Sequence, residues 1–540
     1  MASSGNTATR GSLAGWTAAF VLLGIAIRTL RWWVDFPFWG DESKLALNLL
    51  DRGVGDLLGP LDHAQVAPVG FLAGEMLAAR LLGFDETALR VVPWLAAVVA
   101  LLAFVWLVRI VRSACGTVVT PLAGTLAIGV FAVSHYLLRY GAELKPYSCD
   151  LLAATVALAL AAAWLRADAD EDADGDRVLW LLALVAAPLL LLSYPAVLVF
   201  AALGLALAPR LLRRGPSGAW RAAAALGGAL LVGFAISYGV VGRVQRAAAN
   251  QGVGYLESFW AEGFPAPGLS GFLGWLLEAH TGLPFAYPNG GRHSTSIATT
   301  ILFCVGAWAM ARARDAAPAE RALCRRILVL LLLPFVVGAA AAMLRLYPYG
   351  GHLRLTLYLA PSICLLTGVG LERALRTLPR DAWRAAAPRV ALVVLFLAGV
   401  GDVLVDAAHP WRERRQADMR EAMDAVALLA GPDDLVVSLP SLDEVRATDG
   451  LGSNYEWYLR ARTPGALHWD GDVEHGLPGR GGRIVVVAPA AGDGAVDPPA
   501  LVAWRARHPE LVARERRAHC LGERCTEALV VAAFVGSGDA

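Results

Sequence analysis

Two short acidic segments of this 540-residue chain lie directly beside long apolar runs. Asp41 and Glu42 follow the first apolar run, and Glu143, Lys145 and Asp150 lie between the third and the fourth. A carboxylate beside hydrocarbon is costly, so it needs a partner, a metal or a chemical task. Asp41 could instead be the N-cap of a helix that follows it. The topology predicted below places both segments on the same face of the membrane. This favours a catalytic or binding role for the carboxylates over a purely structural one.

A third polar segment, 345–354, precedes another apolar run and supplies a cation. Arg354 carries a planar, permanently charged guanidinium that can bind phosphate through two hydrogen bonds. The alternative is an interfacial arginine that extends toward lipid headgroups. His352, in the same segment, is better explained as a polar loop residue than as a metal ligand.

The apolar runs around these segments are long enough to cross a membrane. Hydrophobic residues make up 57% of the chain, and about 20 apolar residues span the hydrocarbon layer. The chain is therefore predicted to be a polytopic α-helical membrane protein with about eleven transmembrane helices. The predicted helices are 13–30, 89–110, 118–138, 151–165, 178–192, 196–207, 222–241, 299–311, 327–344, 355–371 and 390–405.

Arginine-rich loops orient the predicted helices. Positive charge accumulates in short cytoplasmic loops, and alternate loops carry clusters such as 312–326 and 373–389. This predicts a cytoplasmic N-terminus, an extracytoplasmic C-terminal tail and an outer location for the three polar segments. The first outer loop, about 32–90, is predicted to hold two interfacial helices, at 42–50 and 66–82, rather than another crossing.

Apolar character falls after about residue 408, which predicts a transmembrane module over 1–408 and a soluble domain over 409–540. Alternating strand and helix patterns predict a small α/β domain with a partly parallel sheet. The predicted strands are 434–439, 483–488 and 528–534, and the predicted helices are 419–430, 454–460 and 499–514.

Two cysteines, Cys520 and Cys525, lie close together in this domain. An extracytoplasmic compartment favours disulfides, and a lone pair of cysteines at this spacing is a weak metal signal. We therefore predict a disulfide between Cys520 and Cys525.

Carboxylates, a guanidinium and apolar walls at one membrane boundary suit a lipid-linked phosphate ester. Its tail can lie between helices while an arginine or a metal neutralises the phosphate leaving group. A carboxylate can then act as general base on an acceptor hydroxyl. Because nucleotide sugars are not expected outside the cytoplasmic membrane, an outward-facing transferase needs a lipid-borne donor.

Five ordered motifs make about the first 370 residues resemble the GT-C glycosyltransferases. The resemblance is to the bacterial branch related to protein O-mannosyltransferases and lipid A aminoarabinose transferases, of the glycosyltransferase family 39 type. The motifs are Trp39-Gly-Asp41-Glu42, 60–71, 86–93, 143–150 and 352–358. The resemblance implies a GT-C fold with interfacial helices in the first outer loop.

The resemblance also implies the catalytic carboxylates. Asp41 matches the catalytic acidic residue, with Glu42 beside it, and either Glu143 or Asp150 matches the second carboxylate. The family includes metal-requiring and metal-independent members. A divalent metal, Mg or Mn, held by Asp41 and Glu143, therefore stays open.

Ligand-binding residues are predicted from these motifs and from the polar segment 345–354. Those predicted to bind the donor phosphate are Arg354, Lys145 and His352. Those predicted to bind sugar or acceptor are His63, Gln65, Tyr147 and Tyr347. For the two residues of the first outer loop, the polar face of an interfacial helix is an equally good explanation.

The predicted function is an inverting transfer of one sugar from a polyprenyl-phosphate donor to a glycan, lipid or protein acceptor. It is expected on the outer face of a bacterial cytoplasmic membrane, with membrane lipids and no nucleic acid as partners. A lipid or solute transporter is one alternative, but transporters usually bind their substrates near the midplane in repeated halves. A degenerate GT-C scaffold that only binds lipid is the other.

Overall fold

The structure, a computed structural model, groups the chain into two units. It describes residues 4–169, 175–214, 218–249, 258–431, 434–439, 452–463, 467–470, 483–509, 511–522, 524–525 and 527–536. The first unit comprises Met1–Trp33, Gly53–Ala78 and Arg90–Val405. The second comprises Val34–Arg52, Ala79–Leu89 and Asp406–Ala540. This second unit differs from the predicted soluble domain over 409–540 because it also includes two stretches of the predicted first outer loop, Val34–Arg52 and Ala79–Leu89.

Helices dominate the first unit and also occur in the second. In chain order, the α-helices of the described residues are α1 (Ser4–Trp33), α2 (Gly40–Asp51), α3 (Val69–Leu82), α4 (Val91–Ala114), α5 (Pro121–Ala132), α6 (His135–Arg139), α7 (Tyr147–Ala169), α8 (Gly175–Leu192), α9 (Ala196–Arg214), α10 (Gly218–Phe234), α11 (Arg243–Ala249), α12 (Gly268–Thr281), α13 (Thr295–Arg312), α14 (Pro318–Met343), α15 (Ala360–Arg376), α16 (Asp381–Ala408), α17 (Arg414–Leu429), α18 (Gly452–Arg462) and α19 (Pro499–Arg507). A π-helical turn, Ala235–Gly242, joins α10 to α11.

Ten helices of the described residues are long and apolar enough to cross a membrane. The number is eleven if α5 and the segment His135–Ala142, which meet at a bend of 51°, form one span. The protein is therefore a multi-pass membrane protein, and the predicted helical architecture is confirmed. Helix α3 has 14 residues, fewer than a full crossing requires. Its location at the membrane interface stays a prediction.

Two glycines let α13 and α15 approach closely. A Cβ added at Gly306 would collide with the carbonyl oxygen of Leu366, and one added at Gly370 would collide with the carbonyl oxygen of Leu302. Helix pairs in membranes depend on such small residues because apolar burial offers little gain over lipid. This contact therefore holds α13 against α15 through backbone proximity.

We expect Gly370→Ala to destabilise the protein by about 3 kcal/mol, because a methyl group here forces the two helices apart. The measurement is the thermal unfolding midpoint in detergent. Gly228→Ala in α10 is the matched control, since a Cβ there meets no described atom within 4 Å. Equal midpoints for the two variants would contradict the packing argument.

The tail of the second unit folds around a five-stranded sheet. The strands are β1 (Leu435–Ser438), β2 (Leu467–Asp470), β3 (Ile484–Ala491), β4 (Leu511–Leu521) and β5 (Glu527–Gly536). Their order is β2-β1-β3-β5-β4. Strand β1 is parallel to β2 and β3, whereas β5 is antiparallel to β3 and β4. The predicted small α/β domain with a partly parallel sheet is confirmed.

One helix boundary in the tail was predicted wrongly. The helix expected over 499–514 ends at Arg507, and Leu511 begins strand β4. This strand lies at the sheet edge and exposes charged side chains, including Arg514 and Arg516. Such charges protect an edge from further pairing, and they also hide the apolar alternation from which strands are predicted. Strand β2 was not predicted either.

Candidate active site

Glu143 lies in extended backbone just before α7, after a short 3₁₀ turn at Tyr140–Ala142. Its side chain is 7% exposed, and Arg139 Nε donates a hydrogen bond of 2.8 Å to Oε1. The second oxygen, Oε2, is buried and has no hydrogen-bond partner among the described residues. A buried acceptor normally finds a donor. Glu143 therefore offers one free carboxylate oxygen to a ligand.

Aromatic rings connect this carboxylate to Arg354. Tyr140 and Tyr147 pack edge to face with ring centroids 5.2 Å apart. The Arg354 guanidinium lies 6.0 Å from the centre of the Tyr147 ring and 4.5 Å from that of Trp260. Both Glu143 and Arg354 act electrostatically on Tyr140. The first unit thus places a carboxylate and a guanidinium around one aromatic pair.

His352 lies beside the same guanidinium. Its ring packs edge-on against Trp260, with centroids 4.9 Å apart. Partial burial, and secondly the charge of Arg354, lower the pKa of His352 below its usual 6.5, although Glu262 opposes them. His352 is therefore neutral at pH 7. It can gain a proton when an anion binds at Arg354.

Of the predicted ligand-binding residues His63 and Gln65, Gln65 contacts Lys145 directly. Lys145 Nζ donates a hydrogen bond of 2.6 Å to Gln65 Oε1. Gln65 Nε2 in turn donates to the carbonyl oxygen of His63 at 3.2 Å. The three residues are brought together, and Gln65 holds the ammonium through its amide oxygen. Their roles at phosphate and sugar stay predictions.

Two residues that the sequence analysis missed hold this part of the loop. Gln245, in α11 and fully buried, accepts a hydrogen bond of 3.0 Å from Ala67 N–H. Tyr194 donates one of 3.0 Å to the Ala67 carbonyl oxygen. A glutamine shortly after the predicted apolar run 222–241 was the available sequence signal.

Asp150 has different neighbours from Glu143. It lies in the first turn of α7, is 5% exposed, and is influenced by the Ser193 hydroxyl; its Oδ1, like Glu143 Oε2, is buried without a hydrogen-bond partner among the described residues. Burial, and secondly the nearby Asp150 charge, raise the pKa of Tyr347 well above its usual range. The Tyr347 hydroxyl donates to the Leu355 carbonyl oxygen at 3.2 Å. Tyr347 is thus a neutral packing partner between Asp150 and the residues before α15.

Asp41 belongs to the second unit, at the start of α2. The N-cap of this helix is Trp39, so the interpretation of Asp41 as N-cap is wrong. The buried Glu42 has the capping task instead, because its Oε2 accepts the Trp39 N–H at 3.4 Å. Asp41 lies in the first turn and is partly exposed. There the helix dipole stabilises its negative charge.

Neither unit contains a ready-made metal cluster within the residues described. No group of three or more His, Cys, Asp or Glu side chains is placed to hold an ion there. In the tail, Cys520 and Cys525 are joined by a disulfide.

Fold and site together define a multi-pass membrane protein in which a buried carboxylate and a guanidinium flank aromatic rings. No protein-family model and no curated protein matches the sequence.

Among solved structures, the chain is similar to ArnT from Cupriavidus metallidurans in the apo state. Identity is 12% and the TM-score 0.48, over 96% of this chain and 98% of that chain. For ArnT bound to undecaprenyl phosphate, identity and coverage are the same and the TM-score is 0.47. For the Archaeoglobus fulgidus oligosaccharyltransferase in complex with Zn and sulfate, identity is 14% and the TM-score 0.47, over 84% of this chain and 62% of that chain.

Proposed function

We propose that the protein is a membrane glycosyltransferase that moves one hexose or pentose from a polyprenyl-phosphate donor to an acceptor hydroxyl. The acceptor is a glycan, a lipid or a protein. The proposal places the reaction on the outer face of a bacterial cytoplasmic membrane, with the N-terminus inside and the tail outside. The distribution of arginine-rich loops supports this orientation.

The observation that carries the proposal is the buried Oε2 of Glu143, which has no hydrogen-bond partner among the described residues. Glu143 acts electrostatically on Tyr140, Tyr140 packs on Tyr147, and Arg354 lies over the Tyr147 ring. A sugar presents hydroxyl donors to such an oxygen and apolar C–H faces to aromatic rings. A phosphate presents charge to a guanidinium. The donor combines both groups in one molecule, and its lipid tail suits the apolar helices around them.

The proposed reaction is a direct displacement. The acceptor oxygen attacks the anomeric carbon, and the bond from that carbon to the phosphate oxygen breaks. The phosphate leaves with the bonding electron pair as polyprenyl phosphate, and the acceptor proton passes to the Asp41 carboxylate. Configuration at the anomeric carbon inverts. Arg354 neutralises the leaving phosphate, and Glu143, rather than Asp150, binds hydroxyl groups of the sugar.

The charged residues around Glu143 are compatible with this reaction scheme, in which no step depends on a bound metal ion. Arg139 occupies Oε1, and Arg354 supplies the positive charge that a leaving phosphate needs. Among described residues, no third carboxylate, His or Cys joins Glu143 in an ion-binding group. We assign no step to Mg or Mn, and the assay below includes a chelator.

Transfer by purified protein in lipid nanodiscs tests the proposal. A panel of radiolabelled polyprenyl-phosphate monosaccharides serves as donors, and extract from the source membrane supplies acceptors. We expect label to move to a new product with the wild type and not with Asp41→Asn. Parallel reactions with EDTA, and with Mg or Mn restored, test the metal. Donor binding without transfer would favour a lipid-binding scaffold, and movement of intact lipid or solute across the bilayer of sealed proteoliposomes would favour a transporter.

A pH dependence follows from His352. The pKa of His352 is lowered in the free protein by partial burial and, in part, by the charge of Arg354. An anion bound at Arg354 offsets that charge and raises the pKa of His352, so that anion binding is accompanied by uptake of a proton. Lowering the pH from about 7.5 to about 5.5 should therefore tighten donor binding about fivefold. The measurement is the Kd of a polyprenyl-phosphate sugar, whose phosphodiester charge stays constant over this range. His352→Gln should remove the pH effect, and an equal effect in that variant would assign it elsewhere.

A further inference from the structure

Helix α18, in the tail, binds the backbone that leads directly into Asp41. The Phe38 N–H donates a hydrogen bond of 2.7 Å to the Tyr458 hydroxyl, and Asn454 Nδ2 donates to the Phe38 carbonyl oxygen. Ser453 Oγ donates to the Gly40 carbonyl oxygen at 3.0 Å. Three side chains of one helix thus hold both polar groups of Phe38 and the carbonyl of the residue before Asp41.

The same helix also holds the far end of α2. Arg460, near the end of α18, pairs through both terminal nitrogens with the carboxylate of Asp51, the last residue of α2. Between these contacts, the buried rings of Phe38 and Trp457 pack with centroids 5.4 Å apart. Because α2 is attached at both ends, its axis cannot rotate independently of α18.

An ion cluster around the buried Glu86 ties the stretch Ala79–Leu89 to the tail. Glu86 is 1% exposed and accepts hydrogen bonds from Arg462, at the end of α18. Arg420, in α17, lies 3.8 Å from Glu86 and also donates to the Asp35 carbonyl oxygen at 2.7 Å. Removing one partner of such a buried pair is costly. Helices α17 and α18 therefore anchor both ends of the stretch from Asp35 to Asp51. They also anchor the stretch that contains Glu86.

We propose that α18 is the positioning element of the catalytic base, so that the tail contributes to catalysis through Asp41 rather than being an appended domain. This inference rests on the proposed role of Asp41. Hydrogen bonds to backbone groups fix where a residue lies, whatever its side chain. Misplacing a catalytic group by about 1 Å can cost about 10²-fold in rate. Tyr458, Asn454 and Ser453 are the positioning residues, and they act through Phe38 and Gly40.

Tyr458→Phe tests this inference, because it removes only the hydroxyl that accepts the Phe38 N–H. Tyr455→Phe is the matched control. It makes the same change three residues earlier on α18, where the hydroxyl pairs with Ser438 of the sheet at 2.8 Å. We expect kcat to fall about tenfold or more in Tyr458→Phe, with the donor KM changed less than twofold. Tyr455→Phe should keep the wild-type kcat.

Hydrogen–deuterium exchange gives a readout that does not depend on activity. The Phe38 amide should exchange faster in Tyr458→Phe than in wild type or Tyr455→Phe, while the thermal midpoints of the two variants stay similar. Unchanged exchange at Phe38 would overturn the inference. So would equal losses of kcat in both variants, which would indicate a merely structural role for α18.

The two proposals fail in different ways. A wild-type protein that transfers no sugar, yet shows the Phe38 exchange difference, would refute the glycosyltransferase and with it the catalytic meaning of α18. Active wild type with unaltered kcat in Tyr458→Phe would refute only the positioning role. Asn454→Ala, which leaves the Phe38 carbonyl without its side-chain donor, provides a second variant if Tyr458→Phe does not fold.

Discussion

Asp41→Asn should lower the rate of sugar transfer at least about 10³-fold, within the range that general bases contribute. The amide keeps the size of the side chain but cannot accept the acceptor proton. The helix should survive the change, because Trp39 is the N-cap and Glu42, not Asp41, accepts its N–H. The measurement is kcat with the donor identified in the nanodisc assay, together with the thermal midpoint.

Asp62→Asn is the control for this prediction. It makes the same substitution in the same predicted outer loop, at an exposed position of the first unit. It should leave both kcat and the thermal midpoint near their wild-type values. Asp41→Asn protein that folds and transfers sugar at the normal rate would remove Asp41 from the mechanism and leave Glu143 or Asp150 as the candidate base.

Arg354→Gln should have the second largest effect, a loss of about 10²- to 10³-fold in kcat/KM, comparable to removing an electrostatic donor from other active sites. The charge that neutralises the leaving phosphate is lost, and so is the cation stacked on Tyr147 and Trp260. Arg354→Lys keeps the charge but loses the planar fork and the stacking surface. It should therefore recover only part of the activity.

A nearby arginine makes a stringent control for Arg354. Arg345 opens the same polar segment, is exposed, and stacks over Phe264 at 5.6 Å. Arg345→Gln should leave transfer and Kd for the donor unchanged within about twofold. If Arg345→Gln and Arg354→Gln weaken donor binding equally, a diffuse positive surface rather than one phosphate site attracts the lipid.

The membrane helices were predictable because their physical constraint is local. A stretch that crosses hydrocarbon must be long, apolar and internally hydrogen-bonded, and these properties are visible residue by residue. The bent pair Pro121–Ala132 and His135–Ala142 was still recognised as one apolar run, predicted over 118–138. The pattern of β1, β3 and β5 was visible for a similar reason, since buried strands are continuously apolar.

The candidate site was predictable only in part. Residue type suggested Glu143 and Arg354, since buried charge at the end of an apolar run is costly unless it has a task. How the helices pack decides the remaining features. These are the buried Oε2 of Glu143, the different surroundings of Asp150, and the aromatic pair near Glu143 and Arg354. Charge patterns along a chain do not contain that information.

The features that could not be predicted depend on contacts between residues far apart in the sequence. Phe38 and Tyr458 are 420 positions apart, and no periodicity or propensity links the segment before α2 to a helix in the tail. Their hydrogen bond forms because folding buries the Phe38 amide, which must then find an acceptor. Local patterns thus specified the spans and the buried strands. The attachment of the Asp41 segment to α18 arose from long-range satisfaction of buried polar groups, which only the folded chain can provide.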